Sequence, residues 1–409
     1  MRAFVLDGHS RAALEAVQAL GRAGIVVDVA AEKAQRLAFR SKYPRRRLQQ
    51  PSSLDAAVFL DWLRARDAED GPYDLLVPAT EVALVALNAL PEGDALRAKA
   101  VLPSRDSLDT ALDKQRTWDL ARRLGIPVPE CVLLEPGAAV PPTPAFPLVL
   151  KPVRSKVQLE DRLVTLEVAI VRDEGQRLEQ LRAWLPHTAV QQQAYVSGRG
   201  VGVCLLYERG RKAWHFAHER IHELPLTGGA SSYRRSMLPS TELLEASERL
   251  LDALAWHGVA MVEYKMRPDG SFCLMEINPR LWGSLALAID AGVDFPLGLL
   301  ALAAGTPLAV QPAYRAPYYT RNIEDDIDWL RANFKADHAD SLLLTRPRGA
   351  SVLELLRPAL GCESWDHFDV HDLSVTWTIL RATGARYARS AASALRAKLV
   401  SRPGAKDLP

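Results

Sequence analysis

The sequence predicts an α/β protein: a parallel sheet covered by helices at the start, then a strand-rich core ending in an acidic antiparallel hairpin. Strand and helix signals alternate through residues 1–103, the βαβ rhythm of a parallel sheet. Further on, Asp269-Gly270 is a strong two-residue turn between two runs of strand formers. The 409 residues, 48% hydrophobic and 24% charged, suit about two to four soluble domains of roughly 100–200 residues each.

In the first domain, Ala3–Leu6 is a short strand and Gly8-His9-Ser10 a turn, with Ser10 as N-cap of a helix. Leu14, Val17 and Leu20 mark that helix's apolar face, and Gly21 or Gly24 ends it. Ile25–Ala30 is a second strand and Leu75–Pro78 a later one. G-x-G-x-x-G is absent, so a dinucleotide site is not expected. The basic cluster Arg36–Arg47 reads as a solvated face, with an anion contact as the alternative.

The core is expected over residues 104–309. Thr110–Leu124 reads as one helix, closed by Gly125 and stopped by Pro127. Strands follow at Cys131–Leu134 and Phe146–Lys151 across a proline-rich loop, then a helix at Gly175–Trp184 and a strand at Ala189–Val196. Two more strands, Val201–Tyr207 and Lys212–His222, precede the loop Leu226–Ser232 and the helix Thr241–Ala255. Residues 310–409 change character. Positions 321–372 carry six Lys/Arg against eleven Asp/Glu, and 373–409 carry seven against one. The basic last helix reads as a solvated face, with an anionic membrane surface as the alternative partner.

Composition excludes several classes. Lys and Arg total 51 against 49 Asp and Glu, a balance that argues against a dedicated nucleic-acid binder. No apolar run approaches the ~18–20 residues of a membrane span. The apolar run after Arg2 is too short for a signal sequence and reads as a strand. Cys131, Cys204, Cys273 and Cys362 lack C-x-x-C spacing, so neither zinc nor a disulfide framework is indicated. A reduced, cytoplasmic protein is expected.

The informative stretch is Val259–Arg280. With Asp269-Gly270 as the whole loop, Glu263 stands directly opposite Glu276. Alternation then puts Val262, Tyr264, Met266, Cys273, Met275 and Ile277 on one apolar face, and Glu263, Lys265, Glu276 and Asn278 on the other. Facing carboxylates repel unless something compensates. Either Lys265 neutralises them, or a divalent cation does, bound by Glu263, Glu276 and the Asn278 amide oxygen.

Those residues resemble the metal-binding signature of the ATP-grasp superfamily, notably its carbamoyl-phosphate-synthase-like and D-alanine-ligase-like carboxylate–amine ligases. Other positions agree in order over residues 1–309. Asp113-Lys114 with Gly125-Ile-Pro-Val-Pro129 looks like the first nucleotide lysine and its exit. Phe146-Pro-Leu-Val-Leu-Lys151 looks like the strand of the second lysine. Gln193-Ala-Tyr-Val-Ser-Gly198 is similar to the hinge against which adenine lies, and His218-Glu-Arg220 with Gly228-Gly229 to a strand and phosphate loop.

The resemblance implies a Rossmann-like domain (1–103), a two-lobed ATP-grasp core (104–309, smaller lobe about 128–198) and a C-terminal extension (310–409). It implies ATP bound by Lys114, Lys151, Gln193, Tyr195, Val196, Gly228, Gly229 and Lys265, with Mg²⁺ (or Mn²⁺) on Glu263, Glu276 and Asn278. Arg280, Arg220 and His218 would stabilise transferred charge or meet substrate. Gly283-Ser284 would open the helix Leu285–Ala291 as a carboxylate site. A zinc reading of His215, His218 and His222 fails because His215 faces the other way on a strand. The implied reaction joins a small carboxylate, such as an amino acid, to an amine or thiol through an acyl phosphate. Closure of the 226–233 loop would exclude water. A homodimer is the default for such enzymes. Two departures stand out: Ala194 replaces the hinge glutamate, and no ribose-binding glutamate follows Gly198. A silent ATP-binding sensor or scaffold, and an ATP-grasp kinase, are the rival readings.

Overall fold

The computed structural model describes residues 1–32, 37–142, 145–153, 156–159, 162–166 and 168–400. Strands β1 (Arg2–Val5), β2 (Val26–Ala31), β3 (Pro44–Gln49) and β4 (Leu75–Val77) form a parallel sheet in the order β3-β2-β1-β4. Ser10 caps the helix Arg11–Arg22, its Oγ accepting from the Ala13 N–H. The helix runs through Gly21 and stops before Gly24, whose φ of +76° is left-handed. Strand β3 departs from the sequence reading, because it is built from the basic cluster. Arg45 pairs with Asp28 at 2.9 and 2.5 Å, Arg46 with Asp70, and Arg47 donates to the carbonyls of Phe39, Pro44 and Ser41. These arginines compensate acids and carbonyls of their own domain on an edge strand, where charge also discourages pairing with other chains.

The expected helix over Thr110–Leu124 is two helices, Arg105–Leu112 and Lys114–Arg123. Asp113 breaks them: it is extended (φ −96°, ψ 110°), and its carboxylate accepts from the N–H groups of Gln115 and Arg116. An aspartate prefers such capping to a helix interior. The break sets Lys114 at the first residue of the second helix.

A smaller lobe contains β5 (Cys131–Leu134), β6 (Leu148–Pro152), the hairpin of β7 (Lys156–Leu159) and β8 (Arg162–Thr165), β9 (Ala169–Val171) and β10 (Val190–Ala194). Its sheet has the antiparallel order β5-β10-β6-β9 and is backed by the helix Glu174–Trp184 through Leu181 and Trp184.

The large sheet comprises β11 (Arg199–Glu208), β12 (Arg211–Leu224), β13 (Ala230–Met237), β14 (Gly258–Met266), β15 (Phe272–Asn278), β16 (Tyr319–Arg321) and β17 (Glu363–Trp365). Its order is β15-β14-β11-β12-β13-β16-β17. The segment beyond residue 309, expected as an appendage, therefore supplies its last two strands. It also ties back to the first domain, through Gln18 to Asp372 (3.2 Å) and Arg22 to Asp369 (2.9 Å). Of the basic final helix, Leu373–Val400, Arg386 pairs with Asp328 at 2.9 Å.

Two cores clamp the sheet. Val201, Val203, Leu205, Val262 and Tyr264 pack beneath the helix Thr241–Ala253. On the other face the helices Leu285–Ala291 and Phe295–Ala303 bring Phe216 and Trp282 into one core with Val5 and Leu14 of the first domain. A fully buried side chain of this size contributes about 1.5–3 kcal/mol, so the sheet is a firm platform for what it carries. No single helix among the described residues is long and apolar enough to cross a membrane.

Candidate active site

The β14–β15 hairpin closes with one residue more than the turn signal predicts. The Arg267 N–H donates to Ser271 O at 2.8 Å, leaving Pro268-Asp269-Gly270 as the loop, with Gly270 at φ +86°. A one-residue shift turns every following side chain over. Phe272 and Leu274 therefore join Val262 and Tyr264 in the core, where Cys273 and Met275 were expected. A bulge then restores the register: Tyr264 pairs with Leu274, and Glu263 with Glu276. The two acids face each other, as predicted, while Met275 lines the cleft beside them. Backbone groups at the bulge find partners elsewhere. Met275 O accepts from Trp118 Nε1 at 3.0 Å, and the Leu274 N–H donates to Pro127 O at 2.8 Å. The helix that presents Lys114 thus also holds the acidic strand in place.

Each acid is met by cations. Lys114 Nζ lies 2.8 Å from Glu276 Oε2, and Arg220 Nη2 lies 2.7 Å from Glu263 Oε2. Asn278 Nδ2 donates to both carboxylates, at 3.1 and 3.2 Å. Burial raises the Glu263 carboxyl above its ordinary range, Arg220 only partly offsets this, and Glu276 adds to it. Burial would raise Glu276 too, but Lys114 outweighs it and holds that carboxyl low. Lys151 is pushed down to about 8, by burial first and then by Lys114. No group of three His, Cys, Asp or Glu among the described residues forms a metal site by itself. Glu263 and Glu276 do fit the partial oxygen set that Mg²⁺ takes when phosphate oxygens complete it. Asn278 turns its NH₂ to them; rotating the amide over would present its oxygen instead.

Arg220 reaches Glu263 across β11 because that strand has glycine at alternate positions. Gly202 pairs with both His218 and Glu263. A Cβ on Gly200 would stand 2.7 Å from Arg220 Cδ, and one on Gly202 2.3 Å from the His218 ring. Glycine inside a strand often marks such a close approach, so Gly200-x-Gly202 held a signal the sequence reading left unused. That reading also missed Glu223. It is buried; its Oε1 accepts from the Gly200 N–H (3.3 Å) and lies 3.5 Å from Lys265, and its Oε2 accepts from the Gly229 N–H (3.1 Å).

Lys151, Arg220, Glu223, Glu263 and Glu276 line a cavity of about 530 Å³ between the two lobes, and Lys114 lines an adjoining one with Lys151. Val149, Ile170, Val196 and Met275 give the larger cleft an apolar wall beside Gln193, Ala194 and Tyr195. Gln193 is buried, and its Nε2 donates to Gln191 Oε1 at 3.2 Å. Thr227, Gly228, Gly229 and Lys265 complete the wall. The two glycine N–H groups are already engaged, by Pro225 O and by Glu223. Because β13 starts at Ala230, the loop here is shorter than the expected 226–233.

Two predicted residues lie elsewhere. Arg280 donates to Leu281 O at 3.0 Å and lines a small cavity with Val77 and Pro78 of the first domain. His218 is enclosed, with Nε2 3.3 Å from Ser284 Oγ, and burial pushes it down to about 3. It stands two strands over from Glu263, across Gly202, as a neutral ring. The Ser284 hydroxyl is therefore turned to His218 rather than free for a carboxylate. His222 is held between Asp326 (2.8 Å) and Glu354 (3.0 Å), away from His218.

Residues 195–325 match the family model described as ATP-grasp in the biosynthetic pathway with Ter operon. No curated protein matches the chain in sequence. Among solved structures, the chain is similar to N5-carboxyaminoimidazole synthetase from Staphylococcus aureus complexed with ADP. There the TM-score is 0.62 at 13% identity, over 87% of this chain and 96% of that one. It is similar to L-amino acid ligase from Bacillus licheniformis (TM-score 0.56, 15% identity, 76% and 75% covered). It is also similar to a biotin carboxylase β-γ-ATP complex from Campylobacter jejuni (TM-score 0.57, 15% identity, 78% and 74% covered). At such identities the likeness speaks for the fold.

Proposed function

From the match of residues 195–325 to an ATP-grasp family model, we propose that the chain is an ATP-grasp protein and an ATP-dependent ligase joining a small carboxylate to an amine or thiol. What carries this reading is the facing pair Glu263 and Glu276, bridged by Asn278 and flanked by Lys114, Lys151 and Arg220 at the mouth of an interlobe cleft. ATP lies with its base among Gln193, Tyr195, Val196 and Met275 and its phosphates towards Lys114, Lys151 and Lys265. A divalent cation (Mg²⁺ or Mn²⁺) held by Glu263, Glu276 and Asn278 supplies charge neutralisation on the phosphate oxygens when bound.

The protein's own residues do the rest by positioning and electrostatics. Lys114 exchanges Glu276 for a phosphate oxygen, and Arg220 turns part of its donor fork from Glu263 to the transferred group. A substrate carboxylate oxygen attacks the γ-phosphorus, the bond to the β–γ bridging oxygen breaks, and ADP leaves. The amine (or thiol) attacks the acyl carbon of the resulting acyl phosphate, phosphate departs, and the nucleophile's proton passes to solvent. Glu223 keeps Gly229 and Lys265 oriented throughout.

The test is an ADP-release screen of amino acids, singly and in pairs, with Mg²⁺. Substrate-dependent ADP formation is expected from the native chain and its abolition in Glu276→Ala. Near-normal turnover in a folded Glu276→Ala protein would overturn the assignment.

A further inference from the structure

Strand β12 walls a second cavity, of about 350 Å³, in which Arg199, Arg235, Arg346 and Arg357 converge beside Tyr319 and Leu344. Arg220 and Glu223 line both this cavity and the nucleotide cleft, so the two share a wall. The four arginines come from distant positions: two from the sheet's β11 and β13, two from the segment beyond residue 309.

Their charge is only half compensated. Glu219 accepts from both Arg199 (2.5 Å) and Arg235 (2.9 and 2.7 Å). Glu354 takes Arg346, lies 4.0 Å from Arg357, and also faces His222. Burial acts to raise both acids, but their partners outweigh it: Glu219 is held low and Glu354 is pushed down to about 2. Both are ionised, and arginine is always charged. Four guanidinium groups therefore share two carboxylates, an excess of two positive charges in a recess where Arg235, Arg346 and Arg357 are half-buried and less screened than on an open surface. Arg357 lies 4.2 Å over the Tyr319 ring, and among the described residues its nearest carboxylate is Glu354 at 4.0 Å, which Arg346 also holds.

We propose that this cavity is a second ligand site, separate from the nucleotide cleft, for a small molecule bearing two or more negative charges as phosphate or carboxylate groups on an apolar or planar body. Planar donor forks suit those groups, Tyr319 and Leu344 offer the apolar wall, and the volume of about 350 Å³ suits a small molecule. The site is linked to the cleft. The Leu344 N–H donates to Leu226 O at 2.7 Å, just before Gly228-Gly229, and Asp340 of the same segment pairs with Arg172 of the smaller lobe at 2.6 Å. The inference does not depend on the ligation reading.

Inorganic pyrophosphate is the probe, titrated calorimetrically into the full-length Lys114→Ala/Lys151→Ala chain, whose cleft has lost its lysines. One saturable site is expected there. Adding Arg357→Ala, alone and with Arg235→Ala, should weaken it roughly tenfold or more, with circular dichroism unchanged and with ATP binding retained when the lysines are intact. The single substitution guards against misfolding, since Arg357 meets Glu354 only at 4.0 Å. Citrate in place of pyrophosphate separates a carboxylate-bearing ligand from a phosphate-bearing one. Absence of binding of either probe to the lysine variant, or binding that both arginine variants leave unchanged, overturns the site.

Discussion

Replacing Arg220 by methionine would leave Glu263 buried opposite Glu276 with its nearest cation gone. The Nη2–Oε2 distance of 2.7 Å puts the charge centres about 4 Å apart, worth about 4 kcal/mol at an effective dielectric constant near 20. That is about three pKa units at about 1.4 kcal/mol each. Lys114 and Lys151 remain nearby and both side chains keep some exposure, so an upward shift of about one to two units is expected. Glu263 is already raised by burial, and holding a divalent cation requires it ionised. The acid limb of Mg²⁺–ATP binding should therefore move to higher pH by about that amount. Calorimetric titration of Mg²⁺–ATP across a pH series reads it directly. An acid limb that coincides with the native one in a folded Arg220→Met chain would refute the reasoning. A uniform loss at every pH would leave Arg220 as a phosphate contact only. Stability gives a second sign. A carboxyl whose folded pKa is raised contributes fully below its unfolded value and loses that contribution as pH rises through the folded one. The variant's melting temperature should therefore fall chiefly on the alkaline side.

Two further outcomes are expected. Lys151, pushed down to about 8, is charged below that value and loses charge as pH rises through it, so ATP affinity of the native chain should drop between about pH 7 and 9 while Lys151→Met shows no such drop; parallel curves would exclude Lys151 as a phosphate contact. Trp118→Phe removes the donor to Met275 O and should cost about 1–3 kcal/mol in urea denaturation, together with weakened Mg²⁺–ATP binding; a change under about 0.5 kcal/mol would show that the indole does not hold the bulge.

The facing of Glu263 and Glu276 was legible because a hairpin's register is a local property, read from one turn signal and period-two alternation. It came out right through two departures that cancel: a three-residue loop and a bulge at Met275. The faces of Cys273 and Met275 came out wrong for the same reason, since nothing in residues 266–276 announces a bulge whose backbone groups are satisfied by Trp118 and Pro127. Asp113 misled in a similar way. The single helix read over Thr110–Leu124 ran through it, and its capping of the second helix shows only in three dimensions. Arg280 was assigned by position after the acidic strand, yet its side chain lies against the first domain.

From its own order of residues, then, the chain determined the strand–helix alternation of the first domain and the acidic hairpin. Each of these has a short-range signature, a period or a turn. Only the tertiary structure decided that Arg220 lies over Gly200 and Gly202 to reach Glu263, that Glu223 orders the glycine loop, and that residues beyond 309 complete the large sheet and help enclose a second, arginine-lined cavity. Those contacts join positions tens to hundreds of residues apart. They follow from packing and from the neutralisation of buried charge, neither of which leaves a period in the sequence.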